Sequence, residues 1–327
     1  FTEGTELFQR GDVFYSRRIG GVPLLRGNLY ASLQEGETVT DDPGVSKLIN
    51  ATKISGRGPK GLGIGLLNAV TRATYGTITD SLGNTREVLT DPLSNYNVLV
   101  LDQQLPNNGY ASLINTNVLR DGDTYDANTT AFDLLVNNKA RTLQGGAVGR
   151  ITQQFAPGLV RDLGYSYELG IGKTGGALTY STSYEEFSPD YDPNDLGFWP
   201  WVNYRSVEPE LNFVKYKPKA PWQRWGIGFN GEYSRVIVPD HFFNLAMEVN
   251  TFRVLRGFNA FGGSIRAEPV LTYDPFEARM PGRLYEFPTN VRYEAWISTN
   301  YNLPYAIDLR GGYRRFYERD RKNLWAS

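Results

Sequence analysis

Leu163-Gly164-Tyr165-Ser166-Tyr167-Glu168-Leu169-Gly170-Ile171-Gly172, followed by Lys173-Thr174-Gly175-Gly176 and then by Ala177-Leu178-Thr179-Tyr180-Ser181-Thr182-Ser183-Tyr184, is the stretch that decides the fold. Leu163, Tyr165, Tyr167, Leu169 and Ile171 share one phase of a two-residue repeat, and Gly164, Ser166, Glu168, Gly170 and Gly172 share the other. After a glycine-rich turn, Leu178, Tyr180, Thr182 and Tyr184 resume the pattern. Successive side chains of a strand point to opposite faces, so the spacing predicts a hairpin with one apolar face and one small, polar face. Such an apolar face suits the core of a soluble sandwich. It suits lipid equally well, with the polar face then lining a lumen.

The alternation recurs along the chain. Leu62, Ile64 and Leu66 interleave with Gly61, Gly63 and Gly65, and Phe132, Leu134 and Val136 with Asp133 and Asn137. Trp225, Ile227, Phe229 and Tyr233 oppose Gly226, Gly228, Asn230, Glu232 and Ser234. Phe243, Leu245, Met247 and Val249 oppose Asn244, Ala246, Glu248 and Asn250, and Val291, Tyr293, Ala295 and Ile297 oppose Arg292, Glu294 and Ser298. Charges therefore gather on the second face, with Glu168, Glu232, Glu248, Arg292 and Glu294 as candidate lumen charges. Runs of about 10 residues match a tilted membrane-spanning strand better than the shorter strands of soluble proteins. The expected fold is all-β, an antiparallel transmembrane β-barrel of about 12 or more strands. A soluble β-sandwich is the alternative.

Composition narrows the function. Lys plus Arg number 34 and Asp plus Glu 35, a balance without the basic footprint of a nucleic-acid binder. The chain has no Cys, which removes thiolate nucleophiles and cysteine metal sites, and its only histidine is His241. No metal and no cofactor is expected, and no catalytic residue is assigned. The 21 Tyr and 35 Gly suit a barrel with aromatic belts. No apolar run of about 18 residues offers a membrane helix. We read residues 1–327 as a single β-barrel domain, part of a longer protein.

Tight glycine-rich turns such as Lys173 to Gly176 contrast with long polar connections, expected at 80–95, 103–109, 121–130, 188–203 and 273–283. Phe14-Tyr15-Ser16-Arg17-Arg18-Ile19-Gly20 reads as a strand end with one Arg reaching toward headgroups, or as an anion contact. The glycines of 61–65 alternate with aliphatics and no helix follows, so a hairpin is expected there, not a phosphate loop. The acidic run 121–128 lacks the downstream Glu of a calcium loop. Glu185-Glu186 invites a glycosidase reading, whose required carboxylate separation no sequence spacing supplies. Trp199 and Trp201, with Trp222, offer membrane anchors or sugar-stacking rings.

Taken in order, Phe14-Tyr15-Ser16-Arg17-Arg18-Ile19-Gly20, Thr52-Lys53-Ile54-Ser55-Gly56, Gly65-Leu66-Leu67-Asn68-Ala69-Val70-Thr71 and Asp192-Pro193-Asn194-Asp195-Leu196-Gly197-Phe198 resemble the DUF5916 family, a domain of unknown function of Bacteroidota and related bacteria. Arg17, Arg18, Lys53, Asn68, Asn194 and Asp195 carry the resemblance as structural markers. It covers about the first 200 residues; downstream only the strand pattern is shared. The resemblance implies a barrel in the outer membrane of a Gram-negative bacterium. It also implies a family-9-like carbohydrate-binding domain ahead of the barrel, which this stretch lacks. The expected function is a non-enzymatic pore, scaffold or subunit of a surface complex. Membrane lipid and other outer-membrane or surface proteins are the expected partners. The alternative is a surface protein that binds or hydrolyses glycans through Trp199, Trp201 and Trp222.

Overall fold

The computed structural model describes residues 6–156, 159–160, 163–216, 219–274, 277–280, 283–318 and 321–327. Strand makes up 61% and helix 6%, which places the chain in the all-β class, built of mostly antiparallel sheets. The chain forms two compact units. One comprises Phe1–Val136, Ala147–Tyr167 and Ser188–Val202, and the other Asn137–Gly146, Glu168–Phe187 and Asn203–Ser327.

The first unit opens with 3-10 turns at Glu6–Asp12 and Ser16–Arg18 and the helix α1 (Arg26–Ala31). Its strands are β1 (Thr38–Asp41), β2 (Leu48–Arg57), β3 (Leu62–Thr71), β4 (Thr74–Thr79), β5 (Thr85–Asp91), β6 (Ser94–Leu105), β7 (Gly109–Arg120) and β8 (Asp126–Asn137). β9 (Leu143–Ala156), the short β10 (Leu159–Val160) and β11 (Gly164–Lys173) follow, with β9 and β11 divided along their length between the units. β2, β3, β6, β7, β8 and β9 are neighbours in that order, and β1, β4 and β5 form a separate small sheet.

Alternation works in this unit as the sequence predicts on one face. Ile64 of β3, Leu101 of β6, Leu113 of β7 and Phe132 of β8 stand opposite one another in register, all exposed. The other face overturns the expectation of a wet, charged surface. Val98, Val100, Ile114, Val118, Ala127 and Ala131 are buried there under Leu7, Phe8, Val13 and Phe14 from the start of the chain. Glycine makes the room: a Cβ on Gly63 would lie 2.8 Å from Leu7 Cδ2, and one on Gly65 3.0 Å from Phe8 Cζ. Burying a Phe side chain contributes roughly 2–3 kcal/mol.

Charge then pins the segment. Arg10 Nε donates to fully buried Asp102 at 3.1 Å, Arg57 meets the other carboxylate oxygen, and Ser112 Oγ donates at 2.5 Å. The Gly11 N–H donates to Asp133 at 3.2 Å, and the buried Arg150 Nε donates to the Gly11 carbonyl at 2.6 Å. A carboxylate shared by two guanidiniums and a hydroxyl has the partners that burial of a charge demands.

Four local readings are corrected. Residues 14–20 form a 3-10 turn and loop, not a strand end, because this part of the chain packs against the sheet instead of joining its ladder. The connection at 80–95 contains β5, paired with β4, and Leu29 of α1 packs where a Cβ on Gly76 would fall. The connection at 103–109 shrinks to the turn Pro106–Asn108, since β6 runs on to Leu105. At 121–130 the strand resumes at Asp126, while 188–203 is free of strand.

The second unit holds β12 (Leu178–Phe187), β13 (Tyr204–Tyr216), β14 (Trp222–Val236), β15 (His241–Leu255), β16 (Ala260–Glu268), β17 (Thr272–Asp274), β18 (Tyr285–Phe287), β19 (Asn290–Ser298), β20 (Asp308–Phe316) and β21 (Lys322–Ala326). β12 to β16, then β19, β20 and β21, are neighbours in that order, while β17 and β18 pair with each other. The connection expected at 273–283 lies between β17 and β18; residues 275, 276, 281 and 282 fall outside the described residues. The sheet order ends at β2 and at β21, and no closed barrel is formed among the described residues.

Candidate functional site

Register turns the alternation of the second unit into rows. Tyr180, Leu211, Phe229, Val249, Ile265, Tyr293, Tyr313 and Leu324 face one another in succession across eight strands. One residue along, on the opposite face, runs a wholly polar row of Ser181, Glu210, Asn230, Glu248, Arg266, Arg292, Arg314 and Asn323. That row passes from carboxylates at one side to guanidiniums at the other.

A cavity of about 430 Å³ opens on this polar face, lined by Glu248, Asn250, Ser264, Arg266, Arg292, Glu294, Trp296 and Arg310 among others. It brings together three of the five charges singled out from the sequence: Glu248, Arg292 and Glu294. A fourth, Glu232, is tied in at 3.5 Å through Arg266, which also holds Glu268 at 3.2 Å. Glu268 in turn accepts from Arg314 at 3.1 Å and from the Asn290 amide at 2.7 Å. Glu168 lies half-buried on β11, in the phase opposite to exposed Leu169 and Ile171.

Glu294 is held by both Arg292 and Arg310. A carboxylate clamped between two guanidiniums is suited to be a fixed charge, not a proton carrier. Three guanidiniums face two carboxylates across the cavity, a net charge of plus one. Glu185 and Glu186 are adjacent on β12 and so point to opposite faces. Glu185 accepts from Ser206 Oγ at 3.0 Å and Glu186 from Tyr184 at 2.5 Å. That is not the facing pair that glycoside hydrolysis needs.

The family-marker residues assemble in the first unit. Arg18 Nε donates to the Gly197 carbonyl at 2.9 Å, and its Nη2 to Asn194 Oδ1 at 3.3 Å. Asn194 also accepts the Trp199 N–H at 2.7 Å and donates to Asp192 at 2.9 Å. Asp195 pairs with Arg120 at 2.5 Å and accepts the Tyr125 hydroxyl at 3.0 Å. Burial, reinforced by the Asp195 charge, pushes the Tyr125 phenol well above its ordinary value. Arg17 is exposed, and the Lys53 ammonium lies 4.4 Å from the Phe8 ring centroid.

Asn68 donates to Asn95 at 2.7 Å and to Asn97 at 2.8 Å. It belongs to a row the sequence reading missed, Asn68, Asn97, Asn117 and Asn128, aligned across four strands. The signal was there in the repeated Asn at alternate positions of Ser94–Leu105 and Gly109–Arg120. Of the loop aromatics, Trp201 is exposed, and the ring of half-buried Trp199 lies 5.6 Å from the Arg150 guanidinium. Trp222 is not a loop residue: it opens β14 of the second unit, where its ring meets that of Phe261 at 6.0 Å.

A family model described as a domain of unknown function, DUF5916, matches residues 1–327. No curated protein matches the chain.

Proposed function

We infer that this chain, which belongs to the DUF5916 family, is an integral β-barrel protein of a bacterial outer membrane, acting as a non-enzymatic pore, scaffold or subunit of a surface complex. The supporting observation is the row from Tyr180 to Leu324. Eight apolar or aromatic side chains in register, at about 4.8 Å per strand, make a band roughly 34 Å long. Monomeric soluble proteins rarely expose a contiguous apolar patch beyond a few hundred Å². Lipid is the solvent that such a band fits, and β13, β14 and β15, at 13, 15 and 15 residues, are long enough to span it with tilt.

On this reading the opposite face of the second unit meets water and ions. The face of the first unit that carries residues 7–14 is filled by protein, which favours a scaffold or a narrowed passage over a wide open pore. Carbonate washing of membranes followed by detergent extraction tests the proposal. The chain should stay in the pellet after carbonate and leave it with detergent. A monodisperse, folded protein in buffer without detergent would sink it. If the chain conducts in a planar bilayer, the mixed-sign cavity predicts weak ion selectivity, and strong anion selectivity would contradict that lining.

A further inference from the structure

Four of the marker residues, Arg17, Arg18, Asn194 and Asp195, line a second cavity, of about 450 Å³, with Tyr15, Arg120, Tyr125, Phe198 and two further aspartates. Each of these aspartates is already engaged. Asp91 accepts the Leu24 N–H at 3.1 Å and the Ser46 hydroxyl at 2.5 Å. Asp192 accepts from the Asn194 backbone and side-chain nitrogens at 3.1 and 2.9 Å, and from Gln154 at 3.1 Å. Asp195 is taken by Arg120 and Tyr125.

Three guanidiniums and three carboxylates line the cavity, a formal balance of charge, but two of the cations keep unused N–H donors. Arg18 gives its Nε and one Nη2 proton to neutral oxygens, the Gly197 carbonyl and the Asn194 amide, so no carboxylate neutralises it among the described residues. Arg17 is exposed and makes no hydrogen bond or ion pair among the described residues. Beside them stands an apolar wall. The Tyr15 and Phe198 rings pack with centroids 5.8 Å apart, and Val22 and Val45 are 73% and 63% exposed in the same lining.

We propose that this cavity binds an oxyanion, a carboxylate or a phosphate, that carries an apolar substituent. Guanidinium presents paired N–H donors matched to the two oxygens of such a group, and two guanidiniums share the charge. The Tyr15–Phe198 wall then covers the apolar body of the ligand. The interlock of Arg18 with Asn194 and Gly197 fixes one of the two forks, so little of its freedom is lost on binding. This assignment does not rest on the membrane reading, since cavity and cations lie within the first unit.

Calorimetric titration of the full chain in detergent tests it, with phenyl phosphate, benzoate, inorganic phosphate and benzyl alcohol as probes. Phenyl phosphate and benzoate should bind saturably and benzyl alcohol should not. Arg17→Gln should weaken phenyl phosphate at least tenfold with an unchanged unfolding midpoint, because Arg17 anchors nothing. Phe198→Ala should erase the preference for phenyl phosphate over inorganic phosphate. Dihexanoyl phosphatidic acid distinguishes the ligand's source: binding tighter than phenyl phosphate assigns a lipid headgroup, and weaker binding a soluble anion. No binding of either oxyanion, equal binding of benzyl alcohol, or an Arg17→Gln protein indistinguishable from the parent would overturn the proposal.

Discussion

Val249→Arg separates water from lipid on the apolar face. Val249 is 45% exposed and lies between Phe229 of β14 and Ile265 of β16, near the middle of the eight-residue row. At an exposed site in water, a Val to Arg change is worth within about 0.5 kcal/mol either way. At the midplane of a bilayer, Arg on the lipid face costs about 2–4 kcal/mol. That difference is a shift of roughly 25- to 700-fold in the folding equilibrium, far above the scatter of a reversible titration. The control is Asn250→Arg, one residue along on the polar face, where the new charge enters a wet cavity and should cost less than about 1 kcal/mol. Urea unfolding in lipid vesicles, followed by tryptophan fluorescence, measures both. A Val249→Arg protein as stable as the parent would show that this face does not meet hydrocarbon, and the inferred function would fall with it.

Phe8→Ala removes a fully buried ring that packs on Phe14 with centroids 5.9 Å apart; a loss of about 3–5 kcal/mol is expected. Because the segment packs on the sheet without joining its ladder, the readout is amide exchange at Gly11, expected to be at least about a hundredfold faster by that energy, and an unchanged rate would refute the packing argument. Asp102→Asn leaves Arg10 and Arg57 facing a neutral amide and should cost about 2–4 kcal/mol, a buried-pair loss discounted for the 28% exposure of the Arg57 side chain. Protection of residues 6–12 from protease equal to that of the parent would count against it. Just after β1, hydrogen bonds from Arg26 and Tyr30 hold the Asp42 carboxyl down at about 2 from an ordinary 3.8. A depressed carboxylate keeps its contribution above the ordinary value and loses it as pH falls through about 2. An NMR titration of Asp42 that midpoints near 4 would show that the pair is open in solution.

The strands were legible because their evidence is local. In Leu163 to Ile171 or Leu62 to Leu66, two-residue periodicity needs no partner to be recognised, and side-chain exposure follows it except at Tyr167 and Glu168, both half-buried. The start of the chain was not legible for the opposite reason. Phe8, Val13 and Phe14 keep no strand period and lie on no helical face, so their burial is visible only with Gly63, Gly65 and Val100 in place. One signal was present in Tyr96-Asn97-Val98-Leu99-Val100-Leu101. Its apolar residues occupy both phases: Val98 and Val100 are buried beneath the opening segment, while Leu99 and Leu101 stand exposed on the other face.

The candidate sites obey the same division. Glu248, Arg292 and Glu294 were found as charges in the polar phase of their strands, and Arg292 and Glu294 pair two residues apart on β19, but the second partner of Glu294, Arg310 of β20, depends on register, which no spacing within one strand reveals. Arg18 and Asn194 are separated by 176 positions and meet through a loop and a turn, elements without periodicity. Their closeness joins two short runs far apart in the chain, the second supplying the hydrogen-bond acceptors of Arg18. The polar phase thus has two different solutions in one chain. In the first unit, Asp102 and Asp133 fasten the chain's own opening residues, and the face is closed by protein. In the second, Glu232, Glu268 and Glu294 are matched to Arg266, Arg314, Arg292 and Arg310 within the face itself, so these charges find partners on the sheet that carries them.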